Sequence, residues 1–130
     1  MSLAQIRLLF VIAGLYDLLI GMVFLVAGPQ LFDATGVPPP NHWGYIQFGA
    51  LLVVIFGAMF LAIAYNPVAN RNLMPYGILL KLSYTGLVAY YWFTTDCPSV
   101  FKSFAIIDAL MFVLFVVAYG KRPAPRTTSQ

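Results

Sequence analysis

The hydrophobic and polar positions divide the chain into four long apolar runs separated by short polar segments that contain proline. In the first run, from Leu8 to Ala27, the only charged residue is Asp17. A helix of that length measures about 30 Å at about 1.5 Å per residue, which matches the hydrocarbon thickness of a bilayer. We therefore predict that the first run crosses a membrane, and by the same reasoning that the other three runs do.

Prolines and glycines between the runs indicate where the helices end. Gly28-Pro29 ends the first helix, and Asn66-Pro67 ends the second because the residue before a proline disfavours the helical conformation. Pro75 suits the first turn of the third helix, where its missing amide hydrogen is not needed. The predicted helices cover residues 6–27, 44–65, 74–94 and 100–119, with a loop over 28–43 and a basic, disordered tail over 121–130.

Composition supports a lipid environment. Of the 130 residues, 62% are hydrophobic and 8% are charged, whereas a soluble domain has about 25% charged residues. A chain with so few charges could not cover a surface that faces water. We predict an all-α fold, with residues 1–120 forming a single membrane domain of four transmembrane helices. The net charge of +3 is too small to predict binding to nucleic acid.

The distribution of basic residues predicts the orientation. Four spans place both termini on one side of the membrane, and that side also holds most of the basic residues: Arg7, Arg71, Lys121, Arg122 and Arg126. Lys102 is the only basic residue on the opposite side, together with Asp33 and Asp96. The positive-inside rule then predicts a protein of the bacterial inner membrane with both termini in the cytoplasm.

Three ionisable residues lie inside the predicted spans: Asp17, Lys81 and Asp108. Each costs roughly 2.5 to 3.5 kcal/mol at the centre of a membrane helix, so such residues usually face other helices and pair with one another. Helix rise places them about 16, 9 and 20 Å from the inner face, respectively. An ion pair between Asp17 and Lys81 is therefore feasible, with Asp108 a few ångströms further out. Residues on the same helix faces that could support the cluster are Gly14, Gly21 and Tyr84.

The ionic cluster has two interpretations. The three charges could neutralise one another and fix the register of the helices. Alternatively, they could form a proton-responsive or ion-responsive site, or a polar anchor for a small ligand. Two carboxylates and one lysine leave an excess negative charge, and at low dielectric one carboxylate would tend to hold a proton.

No other chemistry is evident in the sequence. Cys97 is the only cysteine, and His42 is the only histidine and falls in a predicted loop. A redox pair of cysteines, a haem ligand within a helix and a second ligand at zinc spacing are therefore all missing from the sequence. We predict no cofactor, no metal site and no catalytic residue.

Three segments of the chain resemble segments of bacterial membrane proteins. RLLFVIAGLYDLLIG, together with the size and hydropathy of the chain, resembles the small bacterial four-helix membrane proteins grouped as DoxX-like. The segments PPNHWGYIQFGALL and PVANRNLMPYGILLK resemble segments of uncharacterised bacterial membrane proteins. The DoxX-like resemblance implies a four-helix membrane fold and, for some members, a quinone-linked redox role. It provides no catalytic residue at a numbered position of this chain.

Two functions follow as hypotheses. The first is a non-enzymatic accessory or assembly subunit of a larger membrane complex, or a homo-oligomer in the lipid bilayer. The alternative is a small proton-coupled transporter or ligand-binding membrane protein that uses Asp17, Lys81 and Asp108. The ligand-binding hypothesis requires a cavity at the depth of these three residues.

Overall fold

The computed structural model describes residues 1–121, and within that range all regular secondary structure is helical. Three of its four α-helices, α1, α2 and α4, are each long and apolar enough to cross a membrane. The third, α3, has a comparable length but a lower hydropathy, since it contains Lys81 and four tyrosines. The predicted tail beyond Lys121 lies outside the described residues. The helices are α1 (Leu3–Thr35), α2 (Trp43–Tyr65), α3 (Met74–Thr94) and α4 (Ser99–Gly120), and a 3-10 turn (Arg71–Leu73) precedes α3.

The first helix is longer than predicted. Instead of ending at residue 27, α1 bends at Ala27 (φ −127°, ψ 27°) and continues to Thr35. Pro29 lies in the first turn after the bend, where it does not interrupt the hydrogen bonding of the new segment. The helix ends at Gly36, whose left-handed conformation (φ 70°) favours glycine. The loop predicted over 28–43 is correspondingly shorter.

Side-chain caps explain where two helices begin. Ser2 Oγ accepts a hydrogen bond from the amide of Gln5 (3.2 Å), and Gln5 Oε1 accepts one from the amide of Ser2 (2.8 Å). This reciprocal capping box starts α1 three residues before its predicted beginning at residue 6. At α2, His42 Nδ1 accepts a hydrogen bond from the amide of Gly44 at 2.9 Å, so the single histidine acts as a helix cap.

Close contact between α1 and α2 depends on glycine. A Cβ atom added to Gly14 would lie 2.9 Å from the carbonyl oxygen of Gly57, and one added to Gly57 would lie 2.9 Å from that of Gly14. Two turns further along α1, a Cβ atom added to Gly21 would lie 2.8 Å from the carbonyl oxygen of Ala50. Small residues at these positions allow the two backbones to approach each other.

The end of the molecule near the N-terminus is closed by aromatic side chains. Phe10, Phe60 and Phe115 are fully buried, and their ring centroids lie 4.6 to 5.9 Å apart. At the same end, Arg71 donates a hydrogen bond to the carbonyl oxygen of Tyr119. Its guanidinium group also lies 4.0 Å from the centroid of the Tyr119 ring. The core is thus tightly packed on the side of the termini.

We predict that Gly57→Ala destabilises the protein by about 1–3 kcal/mol, because the added methyl group must separate α1 from α2. Gly86→Ala is the matched control, since a Cβ atom there meets no other atom within 4 Å. Unfolding titrations in mixed detergent micelles would measure both variants. Equal stability of the two would show that the α1–α2 contact does not depend on glycine.

Candidate functional site

The three ionisable side chains of the predicted spans meet at one point. The Lys81 ammonium group donates hydrogen bonds to Asp17 Oδ1 at 2.9 Å and to Asp108 Oδ1 at 3.0 Å. The exposed fractions are 4% for Asp17, 1% for Lys81 and 8% for Asp108. Helix rise alone places Asp108 further out than the other two, whereas in the structure both carboxylates lie equally close to the lysine. We refer to these three residues as the ionic cluster.

Aromatic rings surround the lysine side chain. Its Nζ atom lies 5.5 Å from the centroid of the Tyr16 ring and 5.6 Å from that of Phe60. The Phe60 ring packs against Gly77, where a Cβ atom would lie 2.5 Å from its edge. Because Gly77 has no side chain, α3 approaches Phe60 closely, and Lys81 then lies next to the aromatic core. Attraction between the ammonium group and the faces of the rings adds to the two ion pairs.

The charges of the ionic cluster do not balance. Two carboxylates share one ammonium group, and within residues 1–121 the Oδ2 atom of Asp17 is buried without a hydrogen-bond partner. An uncompensated charge is costly in an apolar environment. The cluster is therefore suited to hold either one proton or one additional positive charge.

A pocket of about 290 Å³ lies directly against the ionic cluster, and all four helices contribute to its walls. Its volume is close to the lower end of the range typical of small-molecule sites, roughly 300 to 1,000 Å³. The three charged residues line it, and the accessible surface of its walls is almost entirely apolar. The aromatic residues that line it are Tyr16, Phe24, Tyr45, Tyr84, Phe101 and Phe104.

The extension of α1 covers the end of the pocket that is furthest from the ionic cluster. Beyond the bend at Ala27, Phe32 packs with ring-centroid distances of 5.2 Å to Trp43, 6.3 Å to Phe24 and 6.5 Å to Phe101. Sequence reasoning missed this covering layer because it ended the helix before Pro29. A proline that fits the first turn of a helix was the available signal.

The pocket is open along α2. Of the residues that line it, Tyr45 and Gly49 are exposed, and both belong to α2. Tyr45 has an exposed fraction of 74%. The exposed edge of the pocket therefore lies on α2.

The supporting residues predicted from the sequence have different positions. Gly21 lines the pocket, whereas Gly14 lies outside it in the α1–α2 contact. Tyr84 lines the pocket and its hydroxyl group donates a hydrogen bond of 3.3 Å to the carbonyl oxygen of Phe101. Tyr84 therefore links α3 to the beginning of α4 and contributes a wall.

Comparisons of this chain with protein-family models, curated proteins and solved structures give no significant match. The resemblance to DoxX-like proteins therefore stays a prediction. The function of the site has to be inferred from its own geometry and charge.

We predict that Lys81→Met lowers the free energy of unfolding by about 3 kcal/mol or more, because it leaves two buried carboxylates without their partner. Lys102→Met is the control, since Lys102 lies outside the ionic cluster. Its Nζ atom lies 5.0 Å from the centroid of the Trp92 ring. Unfolding titrations in mixed micelles would compare the two variants. Replacing all three cluster residues with apolar ones should recover most of the loss; wild-type stability of Lys81→Met alone would contradict the prediction.

Proposed function

We propose that this chain is a four-helix membrane protein that binds a small lipid-soluble ligand in the pocket, with the ionic cluster as its polar anchor. The observation that carries the proposal is that Asp17, Lys81 and Asp108 line a single pocket whose other walls are largely apolar. In an apolar pocket, a polar anchor orients the ligand, and the hydrophobic body of the ligand supplies most of the affinity. This arrangement favours ligand binding over the accessory-subunit hypothesis, since charges that only fix helix register need no adjacent cavity.

We also propose that α3 spans the membrane. At 21 residues, α3 is about 31 Å long, sufficient for the hydrocarbon core. Lys81 lowers its hydropathy, but the ion pairs with Asp17 and Asp108 keep that charge away from lipid. The tyrosines near both ends of α3 suit the membrane interfaces. We therefore place all four helices across the inner membrane, with both termini in the cytoplasm.

The opening along α2 suits entry from the bilayer. Tyr45 and Gly49 lie at the exposed edge of the pocket and in the first two turns of α2. A span through lipid would therefore place this edge at the boundary between the headgroups and the acyl chains. A ligand dissolved in the membrane could then reach the pocket without crossing water. This route agrees with an apolar ligand that carries one polar group.

The topology predicts which cysteines can be labelled from outside intact cells. In a Cys97→Ser background, a cysteine at Asp33 or Asp96 should react with an impermeant maleimide, and one at Ser2 or Asn70 should react only after the membrane is permeabilised. A cysteine at Asn70 that reacts from outside would contradict the placement of α2 and α3. Total labelling in detergent is the control for expression and reactivity.

Filling the pocket should remove ligand binding. Gly49 lines the pocket, and a Cβ atom there meets no atom within 4 Å, so Gly49→Leu places an apolar side chain at the pocket edge. Gly86→Leu is matched to it, because Gly86 has equally open surroundings outside the pocket. Ligand-observed NMR in dodecyl maltoside would test a panel of small benzyl compounds with neutral, cationic and anionic groups.

After subtraction of binding to empty micelles, at least one compound of the panel should bind both the wild type and Gly86→Leu. The same compound should not bind Gly49→Leu. Binding of no compound, or binding that Gly49→Leu leaves unchanged, would overturn the proposed function. The accessory-subunit hypothesis would then be preferred, and it predicts co-purification with a larger complex.

A further inference from the structure

The charge of the pocket identifies a ligand class. The ionic cluster has two carboxylates for one ammonium group, and the second oxygen of Asp17 has no partner among the described residues although the side chain is 95% buried. With both carboxylates ionised, the cluster carries a net charge of −1 in surroundings that stabilise charge poorly. An anionic ligand would increase this imbalance, and a neutral one would leave it unchanged. A single positive charge would remove it.

The walls suit the same kind of ligand. Six aromatic residues line the pocket around the cluster, and aromatic faces attract organic cations. Among the lining residues, Lys81 is the only cationic one, and both carboxylates already engage its ammonium group. A cation that enters the pocket would therefore meet aromatic surfaces and the carboxylate of Asp108, whose side chain keeps an exposed fraction of 11%.

We infer that the pocket binds an organic ammonium ion with an apolar body, and that the cation exchanges with one proton held by the ionic cluster. This inference rests on the proposed function and specifies its ligand. In the free protein, the proton sits on a carboxylate oxygen of the cluster. When the ammonium ion binds, the oxygen–hydrogen bond breaks, the proton leaves to water and the carboxylate pairs with the cation. One positive charge enters and one leaves.

The ionisable groups around the site come from every helix. Tyr16 lies beside Asp17 on α1, Lys81 and Tyr84 face the pocket from α3, and Asp108 faces it from α4. On α2 the ionisable residue that lines the pocket is Tyr45, near the opening. Tyrosines are neutral in the ordinary pH range, so the proton that exchanges belongs to the two carboxylates.

A pair of ligands with the same shape tests the inference. Benzyltrimethylammonium and neopentylbenzene differ only in whether the central atom is a positively charged nitrogen or a neutral carbon. We expect the ammonium ion to bind at least tenfold more tightly to the wild type in uncharged dodecyl maltoside, with empty micelles as the blank. Its charge does not depend on pH, so any pH dependence of its affinity reports on the protein.

Exchange with one proton predicts a specific pH dependence. The Kd of benzyltrimethylammonium should fall about tenfold for each unit of rising pH, until the free cluster has lost its proton. Over the same range, about one proton should be released for each cation bound, measurable with a pH dye in weakly buffered solution. A pH-independent Kd, or binding without proton release, would overturn the exchange.

Asp17→Asn balances Lys81 with the single carboxylate of Asp108. We expect it to weaken benzyltrimethylammonium at least tenfold and to abolish proton release, while neopentylbenzene is unaffected. Asp96→Asn is the control, because it removes an exposed carboxylate outside the pocket. If Asp17→Asn does not fold, the comparison of the two ligands and the pH series on the wild type decide the question without it.

The outcomes separate this inference from the proposed function. Equal affinity for the two compounds, with both lost from Gly49→Leu, would overturn the cation inference and leave the pocket as a ligand site. Binding of neither compound, nor of any other member of the benzyl panel, would overturn both.

Discussion

The two ion pairs of Lys81 constrain the rest of this structure. An ammonium group and two carboxylates in an apolar interior are stable only in contact with one another, so α1, α3 and α4 must each bring one side chain to the same point. This requirement fixes the rotation and the height of three helices at once. It also explains why α3 can contain Lys81, the charge that lowers its hydropathy, because that side chain is almost fully buried.

Packing on the two sides of the ionic cluster is different, and the difference creates the pocket. On the side of the termini, Phe10, Phe60 and Phe115 fill the space between the helices. On the other side, the contact of Gly21 with Ala50 holds α1 against α2, and the hydrogen bond of Tyr84 links α3 to α4. The space between these two helix pairs remains open below the aromatic layer around Phe32. The cluster therefore lies at the boundary between a filled core and a cavity.

The position of the excess carboxylate beside a cavity is what the proposed chemistry depends on. Within a filled core, an unbalanced charge would only reduce stability, because nothing could enter to neutralise it. Beside a cavity, the same charge can select what enters. The proposed ligand class and the proposed proton exchange both follow from this single imbalance, and the pocket walls add selectivity for an apolar body.

The sequence by itself determined that the chain forms four helices and that Asp17, Lys81 and Asp108 need partners, because hydrophobic run length and isolated charges can be read directly from it. The bend at Ala27 and the extension to Thr35 differ from the sequence prediction, because Gly28-Pro29 is as typical of a helix end as of the first turn of a new helical segment. Only the tertiary structure decided that both carboxylates share Lys81 equally. It also decided that a pocket lies beside them and opens along α2. These features depend on how each helix is rotated, and helices that are apolar on every side carry no hydrophobic periodicity to indicate which face turns inward.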